Sequence, residues 1–108
     1  MTESPNGTVF SRRLREVRTI RKLSQRALGI AADLDPFVAS TRINRYEQAV
    51  AWPNLSMVLK LAETLKVPAP LLFADDEDVA ELLWRWANAS RKDRRNLLKW
   101  AREAGVGL

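Results

Sequence analysis

The chain has 108 residues, 46% of them apolar, with no cysteine and no histidine. That size fits one domain with a compact core and room for a short helical appendage. The two absences exclude disulfides and thiolate or imidazole metal sites, and with them the commonest general base and most hydrolase arrangements. A formal net charge of +5 and a pI near 10.2 favour a polyanionic partner without requiring one. No run of 18 apolar residues occurs, and the polar start MTESPNGT has no signal-peptide core. A cytoplasmic protein with no membrane partner is expected.

Residues 1–8 contain Pro5 and Gly7, show no periodicity and are expected as a disordered arm. Phe10, Leu14 and Val17 then recur at i, i+4, i+7 and predict a helix over Phe10–Lys22. Arg12, Arg13, Arg15, Arg18, Arg21 and Lys22 give it a basic face, mostly solvated, of which a minority could follow phosphates. Ser24 is an N-cap candidate for a second helix, Gln25–Ala32, although Ala27 stands where a capping box has Glu. Gly29 inside that helix costs roughly 1 kcal/mol relative to Ala, a cost that a closely crossing helix would explain.

Asp33-Leu34-Asp35-Pro36 reads as a turn and a helix start, with Asp35 as N-cap and Pro36 in the first helical position. The helix would run to about Ala49. Ala39, Ile43 and Tyr46 fall on one face; Thr41, Arg45 and Gln48 lie opposite, flanked by Arg42 and Asn44. On a lone helix such a face is merely solvated. Directly after a short helix and a turn, it is the arrangement that enters a DNA major groove.

Trp52-Pro53-Asn54 breaks the chain before a fourth helix, Ser56–Lys66, with Leu55, Val58, Leu61, Ala62 and Leu65 as its core face. Pro70–Phe73 is one further short turn. The acidic run Asp75–Asp78 reads either as a hinge or as a solvated loop. Beyond it, Val79–Asn88 presents Leu82, Leu83 and Trp86. Ser90 caps a last helix in an S-x-x-D box with Asp93; that helix carries Leu97, Leu98, Trp100 and Ala101 and stops at Gly105. The fold class is all-α.

Arg13-Leu14-Arg15-x-x-Arg18, Leu23-Ser24-Gln25 and Ile43-x-Arg45-Tyr46-Glu47, followed by Pro53 and Leu61-Ala62-x-x-Leu65-x-Val67, resemble the Xre/Cro-like helix-turn-helix family of phage repressors and bacterial regulators. The resemblance implies a five-helix repressor-like DNA-binding domain, here residues 9–74, a double-stranded DNA partner and no cofactor. It also implies a bacterial or phage, nucleoid-associated protein. Base edges would be read by Ser40, Thr41, Arg42, Asn44 and Arg45. Phosphates would be held by Ser24, Gln25 and Gln48, and Arg18 would pair with Glu47 to brace the first helix against the third.

Three departures stand out. About four extra residues lie between Ser24-Gln25 and Glu47; placed at Pro36–Ala39 they lengthen the recognition helix by about one turn, roughly 6 Å. Phe37 and Val38 would then face outward, toward thymine methyls or sugars; the alternative is an irregular Pro36–Val38 with Phe37 tucked into the core. The family's glycine after the recognition helix is Ala49, followed by Val50 and Ala51 in place of basic residues, which should weaken the salt-dependent part of affinity. Trp52 there could pack on the domain or stack on DNA. Gly29 stands where Ala is common.

Residues 79–108 carry more apolar surface than a two-helix hairpin can bury alone. Either they dock on the domain as additional core, or Leu82, Leu83, Trp86, Leu97, Leu98 and Trp100 form a dimer interface. The sequence thus points to a transcriptional regulator, a homodimeric repressor reading a palindrome. A second reading is an antitoxin or partner regulator whose C-terminal helices bind another protein. Nothing in the sequence looks catalytic.

Overall fold

Four helices close on one another because each carries a single apolar stripe that water leaves unpaired. The computed structural model describes residues 5–105. In chain order these are α1 (Pro5–Ile20), α2 (Gln25–Ala31), α3 (Ala39–Glu47), α4 (Leu55–Leu65), a short 3-10 helix (Ala69–Phe73), α5 (Glu77–Asn88) and α6 (Arg91–Glu103). Among the described residues there is no strand, and no helix is long and apolar enough to cross a membrane. The fold is all-α, a helix-turn-helix domain followed by C-terminal helices.

One core joins Phe10, Leu14 and Val17 of α1 to Leu28 of α2, Ile43 and Tyr46 of α3, Val58, Leu61 and Leu65 of α4, and Leu71 and Leu72 of the 3-10 helix. Leu55 is the exception to the predicted face of α4. It is the helix's first residue, ahead of the first full turn, and is 71% exposed. Asn54 caps that helix, its Oδ1 accepting from the Met57 amide at 2.8 Å. The arm expected over residues 1–8 does not extend to its last four residues. Residues 5–8 already belong to α1, which begins on Pro5, a residue suited to the first helical position because it lacks a donor there. Residues 1–4 lie outside the described residues, as do 106–108 of the C-terminal segment.

The first four helices end in the same way. Lys22, Asp33, Ala49 and Lys66 each adopt a left-handed conformation, with φ of 60°, 70°, 58° and 57°. The next amide reaches back to a carbonyl five residues earlier: Leu23 to Arg18 and Val50 to Arg45 at 3.1 Å, Leu34 to Gly29 at 2.9 Å, Val67 to Ala62 at 3.1 Å. None of the four is glycine. Leu23, Leu34 and Val67 then fold onto the core, whereas Val50 stays exposed.

The C-terminal segment divides. α5 is docked: Leu83, Trp84 and Ala87 pack against the core. Arg13, 1% exposed on α1, donates to the Ala74 carbonyl at 2.8 Å, to Glu77 at 3.0 Å and to Glu16 at 3.1 Å. Arg12 adds a bond to the same Glu77 oxygen at 3.1 Å. Arg21 caps the end of α4 through the carbonyls of Leu65 (2.8 Å) and Lys66 (3.1 Å), and its guanidinium lies 4.5 Å from the Trp84 ring centre. The run 75–78 includes the cap and the start of α5. Asp76 is the N-cap of α5, accepting from the Asp78 and Val79 amides, and Glu77 sits in its first turn, where acidic residues favour the helix dipole.

α6 stands apart, with no buried residue of its own. Arg94 pins it to α5, donating to the Trp86 carbonyl at 2.9 Å and the Ala87 carbonyl at 3.1 Å while lying over the Trp86 ring. Ser90 caps it, accepting from the Asp93 amide at 3.1 Å. The projecting helix lengthens the molecule to 49 × 33 × 22 Å. Its radius of gyration is 15.4 Å, against about 13 Å for a compact chain of this length.

Candidate nucleic-acid interface

α2 and α3 touch where Gly29 meets Ala39. A methyl group built on Gly29 would fall 2.7 Å from the Ala39 Cβ and 3.0 Å from its Cα and carbonyl oxygen, inside any real contact. Only glycine lets the two backbones approach so closely. Ser24 starts α2 as N-cap, its hydroxyl oxygen accepting from the Ala27 amide at 2.9 Å, which leaves its hydroxyl hydrogen available.

The turn between the helices takes up the extra residues. α3 begins at Ala39, three residues later than the Asp35-Pro36 start predicted from sequence. Asp35 does cap, but it caps the turn. Its Oδ1 accepts the Phe37 amide at 2.8 Å, and its carbonyl accepts the Val38 amide at 3.0 Å. This local closure competes with a helical start, and the N-cap of α3 falls to Val38, which offers no side-chain acceptor. The recognition helix is thus not lengthened. Phe37 nevertheless does not enter the core; it is 97% exposed.

On α3 the inner residues Ala39, Ile43, Tyr46 and Glu47 are buried, and Ser40, Thr41, Arg42, Asn44 and Arg45 are exposed, with Gln48 following at the C-cap. The buried side is locked by charge as well as by packing. Arg18 of α1 grips Glu47 with two nitrogens, one of them Nη2 to Oε1 at 3.0 Å, while its Nη1 donates to the Leu23 carbonyl at 2.9 Å. The Glu47 side chain is 1% exposed. Its hydrogen bond, and then its charge, outweigh burial and hold the Arg18 guanidinium above its ordinary pKa. Ser11 adds a third brace by donating to the Tyr46 carbonyl at 2.7 Å.

Two of the predicted site residues are turned toward each other. Gln25 Nε2 donates to Asn44 Oδ1 at 3.1 Å and to Glu47 Oε1 at 3.2 Å, so both its amide hydrogens serve the α2–α3 junction. A buried carboxylate draws in donors beyond its first partner, and Gln25 is the nearest. Asn44 itself stays exposed. Of the basic face predicted for the first helix, the guanidinium groups of Arg12, Arg13, Arg18 and Arg21 are engaged within the protein, whereas Arg15 and Lys22 are exposed. Sequence reading missed the buried Arg13. Its only signal was its position among arginines that are otherwise at the surface. After α3, Val50 and Trp52 are exposed and Ala51 is half-buried.

Leu82, Leu83, Trp86, Leu97, Leu98, Trp100 and Ala101 line one open apolar cleft of about 300 Å³ between α5 and α6. Leu82 is 64% and Trp100 68% exposed, while Leu83 is shared between this cleft and the core. Among the described residues no group of acidic side chains is placed to hold a metal.

The helix-turn-helix family model HTH_3 matches residues 14–72, which span α1 to the 3-10 helix. The crystal structure of the transcriptional regulator BswR superposes with a TM-score of 0.80 at 29% sequence identity, over 90% of this chain and 98% of that one. A match of that extent continues past residue 72 into the C-terminal helices. Comparison with curated protein sequences finds no match. The packed α2–α3 pair, the outward row on α3 and these likenesses converge: the chain belongs to the Xre/Cro-like helix-turn-helix family of DNA-binding transcriptional regulators.

Proposed function

We propose that the protein is a homodimeric repressor that reads a palindromic operator through the major groove. The observation that carries this reading is the exposed row Ser40, Thr41, Arg42, Asn44 and Arg45 on a helix whose opposite side is fixed by a buried ion pair. Side chains on so rigid a base meet DNA with little further ordering. Residues 9–74 form the DNA-reading unit in this proposal and residues 79–108 the dimerisation unit.

Phosphate contacts set the pose and base contacts set the sequence. Gln48 and Ser24 are assigned to phosphates, Ser24 through its remaining hydroxyl hydrogen. Gln25 joins them only by turning its amide away from Asn44 and Glu47. Arg45 is assigned to a guanine, where a bidentate contact is worth about 1–3 kcal/mol of discrimination. Dimerisation would cover the α5–α6 cleft and the apolar side of α6, and would set two reading helices about 34 Å apart on DNA. Repression then follows from occupancy of promoter DNA.

The same apolar cleft supports a second reading, a partner regulator or antitoxin whose C-terminal helices bind a different protein. One pair of measurements separates the two. Sedimentation of the purified chain gives its mass in solution, and selection from a randomised duplex library at near-physiological salt gives its preferred sequence. A dimer that enriches a palindrome supports the proposal. A monomer that enriches only a single half-site favours the partner-protein reading. Arg45→Ala should relax selection at one position per half-site; an equal loss on all sequences would make Arg45 a phosphate contact instead.

A further inference from the structure

The most exposed large apolar side chain among the described residues lies just ahead of the reading helix. Phe37 is 97% exposed, and Val38 beside it is exposed as well. Isolated apolar residues are ordinary on protein surfaces and by themselves mean little. Phe37 differs in being held. Pro36 fixes its own φ, the Asp35 carboxylate takes the Phe37 amide at 2.8 Å, and the Asp35 carbonyl takes the Val38 amide at 3.0 Å. The Val38 carbonyl then accepts from Arg42 at 2.8 Å, so the turn runs without a break into the first turn of α3. An aromatic ring presented on such a backbone loses little freedom on meeting a partner.

Position and charge indicate which partner. Phe37 lies in the turn two residues ahead of α3, at the N-terminal end of the reading helix, the end that enters the groove in this motif. The segment from Ala27 to Thr41 contains no Lys or Arg; Asp33 is paired with Lys60 at 3.5 Å, and Asp35 keeps a negative charge beside the ring. A turn of that composition repels phosphate. An apolar ring at the mouth of a major groove has one apolar group to meet there, the C5 methyl of thymine.

We infer that Phe37 is a specificity-determining residue, packing on a thymine methyl at the base pair of each half-site next to those read from Ser40 and Thr41. The inference rests on the assignment of α3 as the reading helix. It adds a preference that the polar row alone does not supply.

The test begins with the sequence that the wild-type chain enriches from a randomised duplex library. Phe37→Ala should keep the wild-type thermal unfolding curve, because the ring packs on nothing. It should also keep the inner motif but lose the thymine preference at one position per half-site. Replacing that thymine by deoxyuridine removes only the methyl group; it should weaken wild-type binding about fourfold per half-site and leave Phe37→Ala indifferent. A variant that enriches the wild-type motif unchanged overturns the inference and leaves the regulator reading intact. So does a variant that loses equally on thymine and deoxyuridine, since the ring would then touch sugar. A wild-type chain that enriches no sequence overturns the reading helix itself, and the inference with it.

Discussion

A carboxylate held almost wholly out of water needs partners for both oxygens, and Glu47 has Arg18 on both and Gln25 on one. Removing the cation alone leaves a buried negative charge unpaired. Arg18→Ala should therefore destabilise the fold by about 3–5 kcal/mol, measured by urea denaturation. A loss below about 1 kcal/mol would mean that water replaces the guanidinium and that the brace is incidental. The two partners were legible in the sequence because both fall on family positions. Arg13 was not. In sequence it is one arginine among six basic residues on the same helix; what buries it is the Ala74 carbonyl and Glu77, more than sixty residues away. A side chain whose environment is assembled by distant backbone leaves no periodicity to read.

At the scale of elements, the glycine in α2 does what its cost in sequence suggested. Gly29→Ala gains helix propensity but drives a methyl group into the Ala39 backbone. The net effect should be a loss of about 1–3 kcal/mol, read as a lower melting temperature. A stabilised variant would show that the crossing can widen freely. Helix types and their order follow from the apolar stripes, whereas helix ends were harder to place. α1 was predicted to reach Lys22 and α3 to reach Ala49, yet each stops two residues earlier. The left-handed residues that close these helices are Lys22 and Ala49, so the glycine that usually marks such an end is missing. The start of α3 was misplaced for a related reason. Asp35-Pro36 serves equally well as the opening of a helix or of a closed turn, and the capture of the Phe37 amide by Asp35 decides for the turn.

For the whole molecule, the junction of greatest consequence joins α5 to α1. Hydrogen bonds from Arg13 and Arg12, with the charge of Arg13, hold the Glu77 carboxyl below its ordinary pKa of 4.5. A carboxylate with a lowered folded-state pKa stabilises the docked form above its ordinary pKa, and that stabilisation disappears as pH falls through the lowered value. Amide protection in α5, taken relative to the intrinsic exchange rate at each pH, should accordingly drop in acid below the usual carboxylate range, ahead of protection in α4. Glu77→Gln should show the lower protection already at neutral pH and little further change on acidification. An unaltered profile in the variant would place the tie in Trp84 and Arg21 alone. None of this was visible along the chain, where four consecutive acids read as a linker; the cations that claim Glu77 lie at the other end of the sequence.

Arg13 and Arg21 fasten α5 to the reading unit and Arg94 fastens α6 to α5, so a continuous set of bonds links the recognition helix's domain to the cleft assigned to dimerisation. In the proposed dimer this makes the protein a fixed gauge of operator length. One base pair inserted between half-sites shifts the second by about 3.4 Å and rotates it by about 35°. A jointed repressor would follow that displacement. A rigid one would release one half-site, and its affinity for the lengthened operator should fall to that for a single half-site.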